Sequence, residues 1–506
     1  TNPDRSDYAG KIQELDQIKR TLLLRKGISK DEKKLPRTLS ISEKVMEHAR
    51  FENLNKNIYS FCENVIEKKS GFEAIKSFLN RDIPKIKGKK LGEKILKSEN
   101  FTEEIPNIIN NLEKSYLYLQ GPPGSGKTYQ AANAIIELLK NNKKVAVTAN
   151  SHKVIHNLLG RIEILASNQN FIFKGLKMGN IENEDTYFNG ELIKTDKNEK
   201  HFINELRENK TLLYAGTKYH LSQFYYRNKL DYLFVDEASQ ISVADLVALG
   251  GIAKNIILVG DQMQLGQPVQ GSHPGESGKS VLDFLLEGKD TIAENKGIFL
   301  NKTYRLHPSI NAFTSKNFYE DRLLINDHNI NRQIEYKKNS IITKEGIHTI
   351  LMNHKNRAQT CVEEFVIIKK LMDQLIGCKF KDYDNSERKI SINDILIVSP
   401  FNAQVNFLKS RLHKDAQCGT IDKFQGAEAP ITIISMTSSS VEDLPRNKKF
   451  FFNRNRLNVA ISRAQCSSIL LLNPKLLETP PSDYDEFKLL NYFQKLMNFE
   501  SKIDIN

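Results

Sequence analysis

An apolar, aromatic-rich run, Ser115–Gln120 (SYLYLQ), is followed by Gly121–Thr128 (GPPGSGKT) and then by a stretch of helical periodicity, Thr128–Asn142 (TYQAANAIIELLKNN). This order constrains the fold more than anything else in the chain. Strand, glycine-rich loop and helix is the opening of a parallel βαβ unit, which needs a sheet covered on both faces. The spacing also has a chemical reading. Gly121, Pro122, Pro123, Gly124, Ser125 and Gly126 let the backbone curl so that successive N–H groups face one anion at a helix N-terminus. Lys127 then reaches terminal phosphates and the Thr128 hydroxyl takes a place on Mg²⁺. The pattern therefore predicts a nucleoside triphosphate site.

The rest of the chain repeats the same rhythm. Lys143–Asn150, Thr211–Thr217, Tyr232–Ala238 and Asn255–Asp261 are near-continuous apolar runs ending in small or polar residues. A second series follows at Gly346–Met352, Asp394–Pro400, Ala429–Thr437 and Ser467–Asn473, with amphipathic stretches such as Val362–Gly377 between. The predicted fold is α/β, with two tandem doubly wound parallel-sheet domains whose functional groups stand at the carboxyl ends of the strands. Residues 1–100 are charged and helical in pattern (Ser42–Lys69 above all) and read as a helical accessory region; 101–298 form the first sheet domain and 299–506 the second. The polar segment of about 166–210 lacks the rhythm and reads as an insertion in the first. The lysine clusters Lys30–Lys34 and Lys85–Lys90 read as solvated faces.

Composition excludes several classes. No apolar run is long enough to span a bilayer and no signal segment opens the chain, so no membrane partner is expected. Cys62, Cys361, Cys378, Cys418 and Cys466 are scattered without a CxxC pair, against a disulfide framework or a zinc or iron–sulfur site and in keeping with a reducing, cytoplasmic compartment. Lys plus Arg is 74 against 61 acidic residues, a net +13 compatible with a polyanionic partner.

Several further groups carry chemistry. Asp236 and Glu237 directly follow an apolar strand, where one carboxylate can hold Mg²⁺ and the other can orient and deprotonate a water. Gln264, at another strand end, can act as a neutral γ-phosphate sensor. Tyr304 offers a stacking ring beside Arg305, and Cys418–Pro430 is a strand-end loop with Gln425, Gly426 and Glu428. Arg456 and Arg463 lie seven residues apart, a spacing of about two helical turns. An arginine aimed at a γ-phosphate from a second domain stabilises the transition state only when the domains close.

The ordered set GPPGSGKT, TANSH, AGT, VDEASQ, GDQMQL, TYRLHP, SPFNAQ, TIDKFQGAE and RLNVAISRA resembles the superfamily 1 helicases, within them the 5′-to-3′ branch (superfamily 1B) that holds the nonsense-mediated-decay helicase and the Okazaki-fragment nuclease–helicase. Ser151–Leu159, His273–Leu285 and Phe451–Ala464 look closest to the helicase half of prokaryotic fusions with a RecB-like nuclease. The resemblance implies two RecA-like domains, ATP and Mg²⁺ as cofactors, and 5′-to-3′ movement along single-stranded nucleic acid, DNA favoured over RNA. By position it makes Lys127, Asp236, Glu237, Gln264, Arg305 and Arg463 catalytic and Thr128 and Asp236 metal-binding. Tyr304 becomes the adenine stack and Glu428, beside Gly426, a ribose contact. Asn150, Ser151, Gly216, Thr217, Ser399, Pro400, Phe401 and Thr420 fall on motifs that grip the strand. The family's glutamine motif upstream of the phosphate loop is not evident in Phe101–Tyr116, and no nuclease constellation appears, so a nuclease domain or partner would lie outside this chain. Two rival readings stand beside this one: a nucleic-acid-stimulated ATPase that remodels complexes without unwinding, and a binding scaffold with a decayed ATPase.

Overall fold

A computed structural model describes residues 11–16, 21–25, 49–267, 273–424, 426–444, 448–499 and 501–504. The Lys30–Lys34 cluster and Gln425 lie outside the described residues. The chain divides into two compact units, residues 1–52 and 53–506. In the first, β1 (Lys11–Asp16) and β2 (Thr21–Arg25) pair antiparallel. Further on, the described helices before residue 100 are Ala49–Ile66 and Glu73–Leu79.

Two parallel sheets organise the larger unit. The first contains, in chain order, β3 (Tyr116–Gln120), β4 (Val145–Thr148), β5 (Gly175–Met178), β6 (Ile193–Asp196), β7 (Leu213–Ala215), β8 (Leu230–Val235), β9 (Ala253–Gly260) and β10 (Gly297–Phe299). Their spatial order is β10-β3-β9-β8-β4-β7-β5-β6, parallel throughout. After β11 (Lys302–Thr303), β12 (Leu324–Ile325) and β13 (Gln333–Glu335) comes the second sheet. It is built from β14 (Gly346–Leu351), β17 (Ile395–Ser399), β18 (Gln417–Thr420), β19 (Ala429–Ser435), β20 (Ala464–Leu472) and β21 (Ser501–Asp504) in the order β18-β17-β19-β20-β14-β21; β15 (Lys379–Lys381) and β16 (Glu387–Lys389) form a separate antiparallel sheet with β13, in the order β13-β15-β16. Every apolar run expected as a strand forms one. The segment expected as an irregular insertion departs from expectation: β5 and β6 extend the first sheet at its edge. β6 is the edge strand, with Lys194 exposed, while β5 pairs on both flanks and buries even Lys177; each run has only four residues and carries a lysine, which hides it among the polar residues around it.

The period of two along each strand splits the core. In β3, Tyr116 and Tyr118 face one side while Leu117 and Leu119 face the other; β9 does the same with Ile256 and Leu258 against Ile257 and Val259. One cluster is covered by the helices Phe101–Asn110, Lys127–Lys140 and His152–Asn168. The other runs on without a break into one face of the second sheet, through Leu396 and Val398 of β17 and Leu470 and Leu472 of β20. A continuous apolar core thus ties the two sheets together. No described helix is long and apolar enough to cross a membrane.

Just past β7, Gly216 is needed for packing, since a Cβ there would stand 2.7 Å from the His220 ring. His220 is buried, its Nε2 2.7 Å from Tyr226 Oη, and burial pushes its pKa down to about 3 from 6.5. Below pH 6.5 the unfolded chain takes up this proton and the folded chain does not until near pH 3, so stability present above that window falls as pH drops through it. The expected loss from this one group is about 1.4 kcal/mol per pH unit. Denaturant midpoints at pH 7 and pH 5 should move less in His220→Gln, which cannot titrate, than in wild type; equal movement contradicts the assignment.

Candidate nucleotide and strand site

The phosphate loop takes the shape its glycines predict. Gly124 and Gly126 adopt left-handed φ values of 71° and 80°, and the helix Lys127–Lys140 begins with no side-chain cap. Its first-turn N–H groups are therefore open to an anion. Lys127 lies across Gly121, where a Cβ would meet its Cγ at 1.9 Å, and its Nζ donates to Gly121 O at 2.6 Å. Ser125 closes the turn by donating from Oγ to Pro122 O at 2.8 Å.

The loop is also strapped from the segment after β10. Thr303 Oγ1 donates to Pro123 O at 2.9 Å, and Tyr304 N to Gly124 O at 2.8 Å. A Cβ on Gly124 would stand 2.3 Å from Arg305 Cβ, so the glycine admits this strap as well as the turn. Behind the strap, buried Arg332 donates to the carbonyls of Tyr304 and Arg305 and pairs with Asp382 at 2.8 Å. Asp382 stands in the polar, charged stretch Lys381–Lys389. The sequence offers no local signal for its partner, fifty residues earlier.

Asp236 and Glu237 follow β8 next to this loop. Glu237 N donates to Asp236 Oδ1 at 2.9 Å, and Glu237 holds φ 48°, ψ 48°, a left-handed conformation costly for a side chain of this kind. Burial, with the neighbouring Glu237 charge, pushes the Asp236 carboxyl up to about 7. Gln264 is buried: its Nε2 donates to Asp261 Oδ2 at 3.0 Å, while its Oε1 accepts from Arg463 Nη2 at 3.4 Å.

Arg463 differs from the expected arrangement. The helix Arg454–Ile461 ends before it, and Ser462–Arg463 turn into β20. Two helical turns therefore do not relate it to Arg456, which instead pairs with Asp422 at 3.5 Å. Arg463 donates to Ala427 O at 3.1 Å, but its buried Nε has no partner. Burial, reinforced by the nearby Arg305 charge, pushes its pKa down to about 9. Arg305 donates from Nε to Glu428 Oε2 at 2.5 Å and from Nη1 to Ser462 O at 3.2 Å. Burial alone would lift the Glu428 carboxyl; Arg305 and Gln465 hold it below its ordinary value.

These groups converge on a cavity of about 500 Å³ lined by residues 122–129, Asp236, Glu237, Gln264, Arg305, Gly426 and Arg463. An uncapped helix start, an anion cradle and a buried arginine with an orphaned nitrogen fit a triphosphate. Thr128 and Asp236, both on the lining, are oxygen donors that suit a hard divalent cation. Tyr304, 52% exposed, and Glu428 lie outside the lining, with the tyrosine ring open for stacking. Lys153, Asn157 and Arg161 join the lining although sequence reasoning missed them. Their signal is spacing: four residues apart on the helix His152–Asn168, they share a face.

The residues expected to grip a strand stand at the carboxyl ends of their strands, as parallel sheets require. Asn150 and Ser151 follow β4 and are exposed; Gly216 and Thr217 follow β7; Thr420 ends β18. In the second sheet Ser399 and Phe401 are buried. Ser399 Oγ lies 3.2 Å from Thr437 Oγ1 and accepts from Phe401 N at 3.4 Å, and Phe401 stacks on Phe451, with Pro400 half-buried between them. Beneath them lies a buried polar group, His354, Cys361 and Glu364, with ligand-type atoms within 4.8 Å of one another. Thr437 N and Ser435 Oγ donate to Glu364, and His354 Nδ1 meets Ser439 Oγ at 2.7 Å, so hydrogen bonds within the protein already engage the group.

Comparison with known proteins matches this layout. Two family models, each described as AAA domain, cover residues 107–276 and 278–475. The chain is 25% identical over 380 residues to the DNA replication ATP-dependent helicase/nuclease dna2 of Schizosaccharomyces pombe, covering 70% of this chain and 26% of that protein. It is 27% identical over 441 residues to the putative helicase mov-10-B.1 of Danio rerio, covering 76% and 42%. A regulator of nonsense transcripts 1 homolog of Arabidopsis thaliana is 23% identical over 443 residues, covering 75% and 33%. The chain thus spans less than half the length of these relatives. With the matched regions running from the phosphate loop through the second sheet and these relatives alongside, the chain belongs to the superfamily 1B helicases.

Proposed function

We propose that this chain is an ATP-dependent helicase or translocase that hydrolyses ATP between two RecA-like domains and moves 5′ to 3′ on single-stranded nucleic acid. The observation that carries the reading is the shared cavity: phosphate loop, acidic pair and Gln264 from the first sheet, Arg305, Gly426 and Arg463 from the second domain. Lys127 and the first-turn amides hold the phosphates, Tyr304 stacks on the base and Glu428 takes the ribose. Glu237 accepts a proton from the attacking water, and Arg463 and Arg305 offset charge that develops as the bond breaks. Mg²⁺, held by Thr128 and Asp236, would supply Lewis-acid neutralisation of the phosphate oxygens. Asn150, Ser151, Gly216, Thr217, Pro400 and Thr420, with the backbone at Ser399 and Phe401, track a strand without reading its sequence.

The remodelling ATPase without strand separation is the second reading, favoured by one observation. The polar segment about 166–210, a candidate duplex-splitting element, places β5 and β6 within the first sheet. DNA as the preferred strand, a nuclease partner outside the chain and a cytoplasmic, prokaryotic setting belong to the same proposal. The test is ATPase rate with matched single-stranded DNA and RNA, then unwinding of duplexes tailed on either end. Stimulation by a strand with unwinding of the 5′-tailed duplex is expected. Absence of stimulation by both strands overturns the reading, and stimulation without unwinding selects the remodelling ATPase.

A further inference from the structure

The helix Arg454–Ile461 carries two asparagines one turn apart, and both reach the loop after β9. Asn455 Nδ2 donates to Gln262 O at 2.7 Å and Gln264 O at 2.8 Å. Asn458 Nδ2 donates to Met263 O at 2.8 Å and Tyr319 Oη at 2.9 Å. Three successive carbonyls of the sensor loop are therefore held from the second domain. Spacing explains the choice of residue: positions three apart share a helix face, and each short amide offers two N–H donors in a fixed plane.

The loop is braced from its other side by Asp261. Its carboxylate accepts from Met263 N at 3.1 Å, Gln264 Nε2 at 3.0 Å and Tyr319 Oη at 2.7 Å, and Asp261, Tyr319 and Asn458 are all buried. The start of the helix is fixed by Arg454, bidentate on Asp290 at 2.8 and 2.7 Å. Five residues beyond Asn458 comes Arg463, facing Gln264. The backbone of the sensor loop and the segment that carries the arginine are thereby one hydrogen-bonded body, although they belong to different sheets.

We propose that Asn455 and Asn458 are positioning residues that lock the Gln264 loop to the Arg463 segment, so that movement of the second sheet on a strand resets the sensor glutamine directly. This rests on the function proposed above. Neither asparagine touches the phosphates in this scheme; each acts through Gln264. A loop held only by its own sheet would keep Gln264 in place whatever the cleft did, and hydrolysis would not depend on the strand.

The test uses the full chain carrying Asn455→Ala, Asn455→Asp or Asn458→Ala, with ATP hydrolysis measured with and without saturating oligo(dT). Asn455 is only half-buried, so its variants carry the test if Asn458→Ala fails to fold. Displacing the sensor loop should lower the strand-stimulated kcat about 10- to 100-fold, with KM for ATP changed less than about threefold. Asn455→Asp, which keeps the shape but loses the donors, should match Asn455→Ala. A stimulated kcat near wild type in either Asn455 variant overturns the proposal, as does a rise in KM with kcat retained. If wild type itself shows no strand stimulation, the function proposed above fails instead, and the basal kcat of the variants still decides the role of the clamp.

Discussion

Glu237→Gln is expected to slow ATP turnover by roughly 10²–10⁴-fold, the contribution of a positioned general base, while single-strand binding stays near wild type. Glutamine matches glutamate in shape, so the left-handed backbone at this position and the Asp236–Glu237 hydrogen bond are retained. The capacity to accept a proton is lost. The change also removes the negative charge that helps lift Asp236. Relief of that repulsion should leave the melting temperature equal to or above that of wild type, which separates a chemical defect from a folding one. Lys127→Ala should abolish turnover by another route, the loss of phosphate contact, and should raise KM as well. Phosphate-release assays beside filter binding of a labelled strand check both. Full hydrolysis in Glu237→Gln sinks the assigned role.

What could be read in the chain beforehand divides along a physical line. Motifs whose chemistry is local were legible, because the phosphate loop needs its own glycines and the acidic pair its own strand end. The strands of both sheets were legible too, since burial on two faces leaves an apolar run whatever the neighbours are. Contacts fixed by packing between distant segments were not. Arg332 looks like any surface arginine until Asp382 and the carbonyls of Tyr304 and Arg305 close around it. Asn455 and Asn458 read as polar interruptions in a helix until the carbonyls of residues 262–264 are placed opposite. Ser399 and Phe401 matched a strand-gripping motif, yet their side chains serve the core, and only the fold distinguishes a buried motif residue from one that faces a ligand. The two helical turns expected between Arg456 and Arg463 failed because periodicity cannot show that a helix stops at Ile461.

The same geometry gives Arg463 a larger expected effect than Glu237. Arg463→Ala should lower kcat about 10³- to 10⁵-fold, the range for an arginine that meets transferring phosphoryl charge. Arg305→Ala should cost less, because Arg305 is held by Glu428 and must leave that partner to reach a phosphate. Arg463 is held instead by neutral acceptors, Ala427 O and Gln264 Oε1, and its Nε is orphaned. Burial of the guanidinium beside the Arg305 charge is unfavourable and only partly offset by the Glu237 and Glu428 carboxylates, which is why its pKa falls to about 9. An incoming phosphate supplies the missing charge. Two results therefore belong together in thermal melts of the nucleotide-free chain and the chain with a non-hydrolysable ATP analogue. Arg463→Ala should melt at or above wild type without nucleotide, because a buried and only partly compensated charge is gone, and should gain less on binding the analogue. A variant that melts well below wild type without nucleotide would make Arg463 a structural residue. A variant that gains the full wild-type increment would show that the phosphate never reaches it. The strain is present before the ligand arrives, so nucleotide binding and closure of the two sheets draw on one free-energy difference.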